Sequence, residues 1–213
     1  MRTSYPITGI RALVIACLLS AAALAPAAHA ESAPKAKPGA TSPRPQDTVL
    51  SQMVGTWNVA QRIWIGPHAE PIKSPPAIAR RRLVGDMFLE EIMEAAPDSG
   101  QEPFTRIAYF NYNRVTQRYE ANSMDTRAPQ MMYEKSYDDG ARNAGQEQRV
   151  VRLYLQDNFV LPRWGNTANA AFKGRKVIEL EKDRQVVRLY WTPLAGESAE
   201  EFLAGEYVYT RQR

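Results

Sequence analysis

The stretch Val54-Gly55-Thr56-Trp57 decides how the rest of the chain is read. It closes a short apolar segment, Val49-Leu50-Ser51-Gln52-Met53, and opens an alternating one, so a one-turn helical plug should give way here to a first strand. From Trp57 the period is two: Trp57, Val59, Gln61, Ile63 and Ile65 share one face, and Asn58, Ala60, Arg62 and Trp64 the other. Gly66-Pro67 ends that strand. The run through Pro71, Pro75 and Pro76 reads as a loop, because proline has no amide to give to a ladder.

The same period recurs toward the C-terminus. Ala77 to Val84 reads as a strand, Gly85-Asp86 as a tight turn, and Met87 to Glu94 as the returning strand, with Met87, Leu89, Glu91 and Met93 on one face. Phe104 to Asn111, Gln117 to Asp125, Met131 to Tyr137 and Gln148 to Leu155 follow as strands, the Met131 strand closed by Asp138-Asp139-Gly140. Asn158 to Ala171 is interrupted by Pro162 and Gly165 and reads as a short strand or an aromatic loop. Lys176 to Glu181 and Gln185 to Thr192 make a hairpin, and Glu201 to Arg211 is the last strand. The class is therefore all-β: nine or ten antiparallel strands without βαβ alternation, expected to close as an up-and-down barrel that leaves no edge. A two-sheet sandwich is the alternative.

The N-terminus has a different composition. Arg2 and Arg11, an apolar core from Ala12 to Ala25 and Ala28-His29-Ala30 form a secretory signal peptide over residues 1–30, so a periplasmic or secreted location is expected. The apolar core is shorter than the ~20 residues of a spanning helix, and no membrane span is expected after cleavage. Val14-Ile15-Ala16-Cys17 resembles a lipoprotein cleavage box, the alternative processing site. Residues 31–46, with Pro34, Pro38, Pro43 and Pro45, have too little apolar surface to offset the entropy of ordering and read as a linker. The barrel domain spans 47–213.

Cleavage after Ala30 removes Cys17, leaving no disulfide, thiolate or Cys-based metal site. It also removes two of the 27 basic side chains, so the mature balance against 23 acidic ones is too even to argue for a nucleic-acid partner. The chain has no Gly-x-Ser-x-Gly elbow, phosphate loop or dinucleotide glycine pattern. Glu90 and Glu91 are adjacent and point to opposite faces, so they are no acid–base pair. No catalytic residues and no metal are expected.

Gly55-Thr56-Trp57 after a short helix, Leu83-Val84-Gly85-Asp86-Met87-Phe88-Leu89-Glu90-Glu91, Tyr112-Asn113 with Arg118-Tyr119 and Met124-Asp125-Thr126, and the closing Tyr207-Val208-Tyr209-Thr210-Arg211 together resemble the DUF1579 family over residues 47–213. That family is uncharacterised and resembles the lipocalin-like barrels. The resemblance implies that Gly55 and Trp57 close one end of the barrel, with Arg211 lying across the tryptophan ring. Haem-binding relatives use a histidine ligand. The one histidine left here, His68, lies in a proline-rich loop, so no cofactor is expected.

The expected function is lumenal binding of a small, partly apolar molecule. The candidate lining is Arg80, Arg82, Glu91, Met93, Tyr109 and Asn111. In Arg80-Arg81-Arg82 the middle residue points opposite to its neighbours, so at least one arginine faces inward and needs a partner, with Glu91 the natural one. The pair is either an anchor for a ligand carboxylate or hydroxyl, or a core ion pair with no ligand. In the next strand Arg106 lies opposite in phase to Tyr109 and Asn111, so only one of those sets is inside. A tethered interaction module, with an apolar patch at Phe159 to Trp164, is the alternative function; a hydrolase or isomerase using luminal Glu, Arg and Tyr is a third.

Overall fold

The computed structural model describes residues 45–85, 87–137, 150–164, 167–195 and 200–213. The segments read as signal peptide, as linker before Pro45 and as the Asp138-Asp139-Gly140 turn lie outside them. The described residues form one helix, α1 (Pro45–Met53), and eleven strands: β1 (Gly55–Ile63), β2 (Ile72–Val84), β3 (Phe88–Ala95), β4 (Thr105–Asn113), β5 (Arg118–Asp125), β6 (Ala128–Lys135), β7 (Val150–Leu155), β8 (Phe159–Trp164), β9 (Thr167–Leu180), β10 (Arg184–Pro193) and β11 (Phe202–Arg211). β1 to β7 run as a meander, β9, β10 and β11 continue it, and β11 pairs back onto β1. Ten strands thus close an antiparallel barrel, and β8 is an extra strand on β9. A single sheet that returns to its own first strand has no second layer, which excludes the sandwich.

α1 plugs one end. It starts at Pro45, two residues inside the segment read as linker, and buries Val49, Leu50 and Met53 against a core that includes Trp57, Leu89, Tyr119, Leu153 and Tyr209. A helix leaves its last carbonyls without partners, and here side chains from three strands supply them. Trp57 Nε1 donates to the Met53 carbonyl (3.0 Å), Arg211 Nη2 and Gln185 Nε2 to that of Gln52 (2.9 and 3.3 Å), and Arg211 Nη1 to that of Val54 (2.6 Å). The guanidinium also faces the negative end of the helix dipole and lies 4.1 Å from the centre of the Trp57 ring. Gly55, at φ +130°, leaves room for it: a Cβ there would come within 2.6 Å of Arg211 Nη1.

Two elements differ from the sequence expectation. β2 begins at Ile72 and runs through Pro75 and Pro76, which were expected in a loop. Val59 pairs with Ala77 but Gln61 with Ser74, so the two prolines occupy a bulge where no ladder amide is required of them. The segment Asn158 to Ala171 becomes β8 and the start of a 14-residue β9. β7 and then β8 follow the same edge of β9, so β8 carries the sheet beyond the barrel wall. At one end of β8 the Gln130 amide bridges to it from β6, donating to the Asn158 carbonyl and accepting from the Val160 amide, both at 2.9 Å. At its other end Trp164 Nε1 donates to the Ile65 carbonyl just past β1 (2.7 Å). Phe159, Trp164, Phe172, Trp191 and Phe202 pack together there, forming a second apolar cluster at the end of β1 away from α1.

Candidate functional site

The register of β2 with β3 determines what faces inward. Val84 pairs with Phe88, which leaves three residues between the strands rather than two and sets Arg81, not Arg80, opposite Glu91. A one-residue slip reverses every side chain. Arg81 is therefore inside, its side chain 3% exposed, while Arg80 and Arg82 are outside at 59% and 71%. Arg80 pairs with Glu94 (2.7 Å), and Arg82 with Glu90 (2.5 Å), which also accepts from the Tyr109 hydroxyl (3.0 Å). Arg82's hydrogen bond, against a smaller opposing effect of desolvation, holds the Glu90 carboxyl below the usual range. Arg80, Arg82 and Tyr109 thus belong to the outer surface, and so does Asn111, which shares the face of Tyr109. Glu91 and Met93 do point inward, but Met93 is fully buried in the plug-end core.

Inside, Arg81 Nε donates to Glu91 Oε2 (2.6 Å) and Arg106 Nη1 to Glu91 Oε1 (2.5 Å). Arg81 also bonds to Gln185 Oε1 and stacks 4.1 Å from the centre of the Tyr209 ring. Lys176, on β9, donates to Glu134, on β6. Burial alone would raise the Glu91 carboxyl, yet the charges of Arg81 and Arg106 outweigh it and hold the group below its ordinary value. Burial would lower Arg106, but Glu91 keeps its guanidinium firmly protonated. For Lys176 burial wins over Glu134, and the ammonium is held below its usual value. Burial raises the phenols of Tyr207 and Tyr209, so both are neutral hydroxyls at physiological pH.

This charged layer divides the lumen. Toward α1 lies a small void of about 50 Å³ lined by Met53, Leu89, Glu91, Phe110 and Leu153. Away from it lies a cavity of about 360 Å³ walled by Ile63, Met132, Leu155, Phe159, Leu189 and Trp191, with Gln61, Glu134 and Tyr207 among its polar groups. Arg106, Lys176, Val187 and Tyr209 line both. Asp125 and Arg127, paired at 2.7 Å, also line the larger one. A bigger recess of about 660 Å³ lies against the outer face of β2 and β3, lined by Ile78, Arg80, Glu94 and Phe104. It is more open to solvent and less apolar than the luminal cavity, so the smaller cavity is the better candidate. His68 is in the β1–β2 connection, its side chain 86% exposed.

The family model described as "Protein of unknown function (DUF1579)" matches residues 42–208, most of the chain. The protein belongs to the DUF1579 family. Its fold is similar to the crystal structure of Rv2717c from M. tuberculosis, with a TM-score of 0.51 at 16% identity, covering 79% of this chain and 98% of that one. At that identity the likeness concerns the fold alone. No curated protein matches the sequence.

The luminal groups of this DUF1579 chain that the sequence candidates omit are Arg81, Gln185, Glu134, Lys176, Tyr207 and Tyr209. Tyr207 and Tyr209 share a phase with Arg211 on β11. Arg211 reaches the plug, so that phase alone places both tyrosines inside. Lys176 shares a phase with Ile178 and Leu180 on β9, a signal that an inward lysine was present. Glu134 carried no such signal, because β6 offers Met131 and Met132 on opposite faces and either is apolar enough to be core.

Proposed function

We propose that the mature chain is an exported barrel that binds one small, partly apolar molecule in its lumen. The observation that carries this reading is the 360 Å³ cavity: largely apolar and aromatic wall surface, with charged and polar side chains at its base and edge, and a plug closing the far end. Its volume lies at the low end of the ~300 to 1,000 Å³ of small-molecule sites, which suits a compact ligand better than a long lipid. Export rests on the Arg2 to Ala30 segment.

The interaction-module reading called for apolar surface at Phe159 to Trp164. Phe159 is 6% exposed and packs with Phe172 and Trp191, while Val160 is 38% exposed and Leu161 and Trp164 are half-buried, so the segment leaves only a small apolar surface. A hydrolase or isomerase built on Glu91 would use it as base. Two arginines occupy its oxygens and depress its basicity, and it does not line the larger cavity.

Native mass spectrometry of the exported protein tests the binding reading. The expected result is a discrete added mass of one small molecule, absent from a Leu189→Trp variant that fills the cavity and still melts cooperatively. Wild-type protein that carries no molecule and gains none from a metabolite extract would count against it.

A further inference from the structure

Among the described residues five ionisable side chains are coupled inside the barrel: Arg81, Arg106 and Lys176 are basic, Glu91 and Glu134 acidic. With each in its ionised form the interior carries one positive charge in excess. The pairs at the cavity's edge, Asp125 with Arg127 and Arg175 with Glu201, are each neutral and do not offset it. An uncompensated charge away from water is costly, and a chain stabilised by its core alone would be expected to balance it.

The hydrogen-bond inventory leans the same way. Both oxygens of Glu91 are taken, one by each arginine. Arg106 has five N–H donors and gives one of them to Glu91; Lys176 has three and gives one to Glu134. The hydroxyls of Tyr207 and Tyr209 have no hydrogen-bond partner among the described residues, and both side chains line the cavity. All four of these side chains line the 360 Å³ cavity. Donors thus outnumber acceptors among these four side chains; Gln61, Ser74, Asp125, Arg127, Glu134 and Arg175 add further polar groups, and the remaining lining is apolar.

We infer that the lumen takes an organic carboxylate, its head group seated among Arg106, Lys176, Tyr207 and Tyr209 and its apolar body against Met132, Leu155, Phe159, Leu189 and Trp191. The inference rests on the lumenal-binding reading above and names its ligand class. A carboxylate fits better than a phosphate monoester because its single negative charge matches the single excess positive one. Its two oxygens accept side by side, the geometry a guanidinium offers. The arriving anion also favours the ammonium form of Lys176, which burial disfavours in the empty cavity.

Calorimetric titration of the full mature chain with octanoate, octanol and octylamine, three probes of one length, provides the test. Octanoate is expected to bind at least tenfold more tightly than octanol, and octylamine more weakly than either. Arg106→Gln should abolish the preference for octanoate over octanol. Glu134→Gln removes a luminal negative charge and should strengthen octanoate severalfold, while Tyr207→Phe should weaken it severalfold. The two variants of opposite sign keep the test sharp if Arg106→Gln fails to fold. Equal affinity for octanoate and octanol, or a preference for octylamine, overturns the carboxylate site while leaving lumenal binding standing. A folded wild type that binds none of the three overturns both.

Discussion

Trp57 is fully buried, donates to a helix carbonyl and carries the Arg211 guanidinium on its ring. Replacing it by alanine is expected to cost about 3 to 5 kcal/mol, the usual range for a buried tryptophan. Arg211→Met keeps the packing but loses the ring contact and its bonds to the carbonyls of Gln52, Val54 and Lys182, so about 1 to 3 kcal/mol is expected. Urea unfolding of both variants checks this order, and a Trp57→Ala protein as stable as wild type would refute the role of the closed end. Glu91 makes a separate prediction about pH. Its carboxyl is held below the unfolded value of 4.5, so the folded state binds fewer protons in acid. The resulting stabilisation is fully present above pH 4.5 and is lost as pH falls through the folded value. Glu91→Gln should therefore be less stable at neutral pH and show a shallower loss of stability below pH 4.5. The loss should be shallower rather than absent, because Glu90 and Asp125 are depressed in the same sense.

The pairing of β2 with β3 shows how far the sequence pattern reaches and where it stops. Alternation located both strands and showed that Arg81 points away from Arg80 and Arg82, but it could not say which set was inside. Ile78 and Val84 on one face are no less apolar than Ala77, Ala79 and Leu83 on the other, so hydrophobicity did not settle the phase. The turn length decided it. A two-residue Gly85-Asp86 turn sets Arg80 opposite Glu91, whereas the Val84 to Phe88 pairing sets Arg81 there. β2's entry through Pro75 and Pro76 was hidden for a related reason, since a bulge excuses proline from the ladder and leaves no mark in local composition. Trp57 was readable because glycine, tryptophan and the preceding apolar turn form a local signal. The luminal network was not, because its members come from seven strands. The register can be checked by substitution. Arg81→Ala leaves Glu91 with one arginine and Gln185 Oε1 without its donor, and is expected to cost about 3 to 5 kcal/mol. Arg80→Ala should leave the melting temperature nearly unchanged, since exposed pairs contribute little, and Arg82→Ala should cost far less than Arg81→Ala, because Glu90 keeps the Tyr109 hydroxyl. A reversed order would mean that the strands are out of register by one.

At the scale of the whole barrel, apolar packing is divided unequally between the two ends. The plug end joins α1 to residues from most of the strands in one continuous core, while the other end holds the smaller cluster around Phe172. The cavity lies between them, so the two cores are separated by space and by charge. The wall is also uneven. Among the described residues β6 meets β7 through the Glu134 to Leu155 and Lys135 to Tyr154 pairs and a hydrogen bond from the Gln156 amide to the Tyr133 carbonyl, and beyond them the Gln130 side chain bridges toward β8. Among the described residues β8 has a ladder partner on one side only. Opening local to β8 and the first residues of β9 exposes little of the main core and should require far less free energy than global unfolding. Amide hydrogen exchange is therefore expected to be slowest at residues 57–61 and 207–211 and much faster at 159–164, with an occupied cavity slowing 159–164 and 167–172 selectively. That selectivity would follow from a ligand touching Phe159 and Trp191, which bind the arm to the barrel, without touching the plug. Equal protection at both ends, or a ligand that slows exchange around Trp57 first, would show that the barrel opens as a unit and that its far end is no entrance.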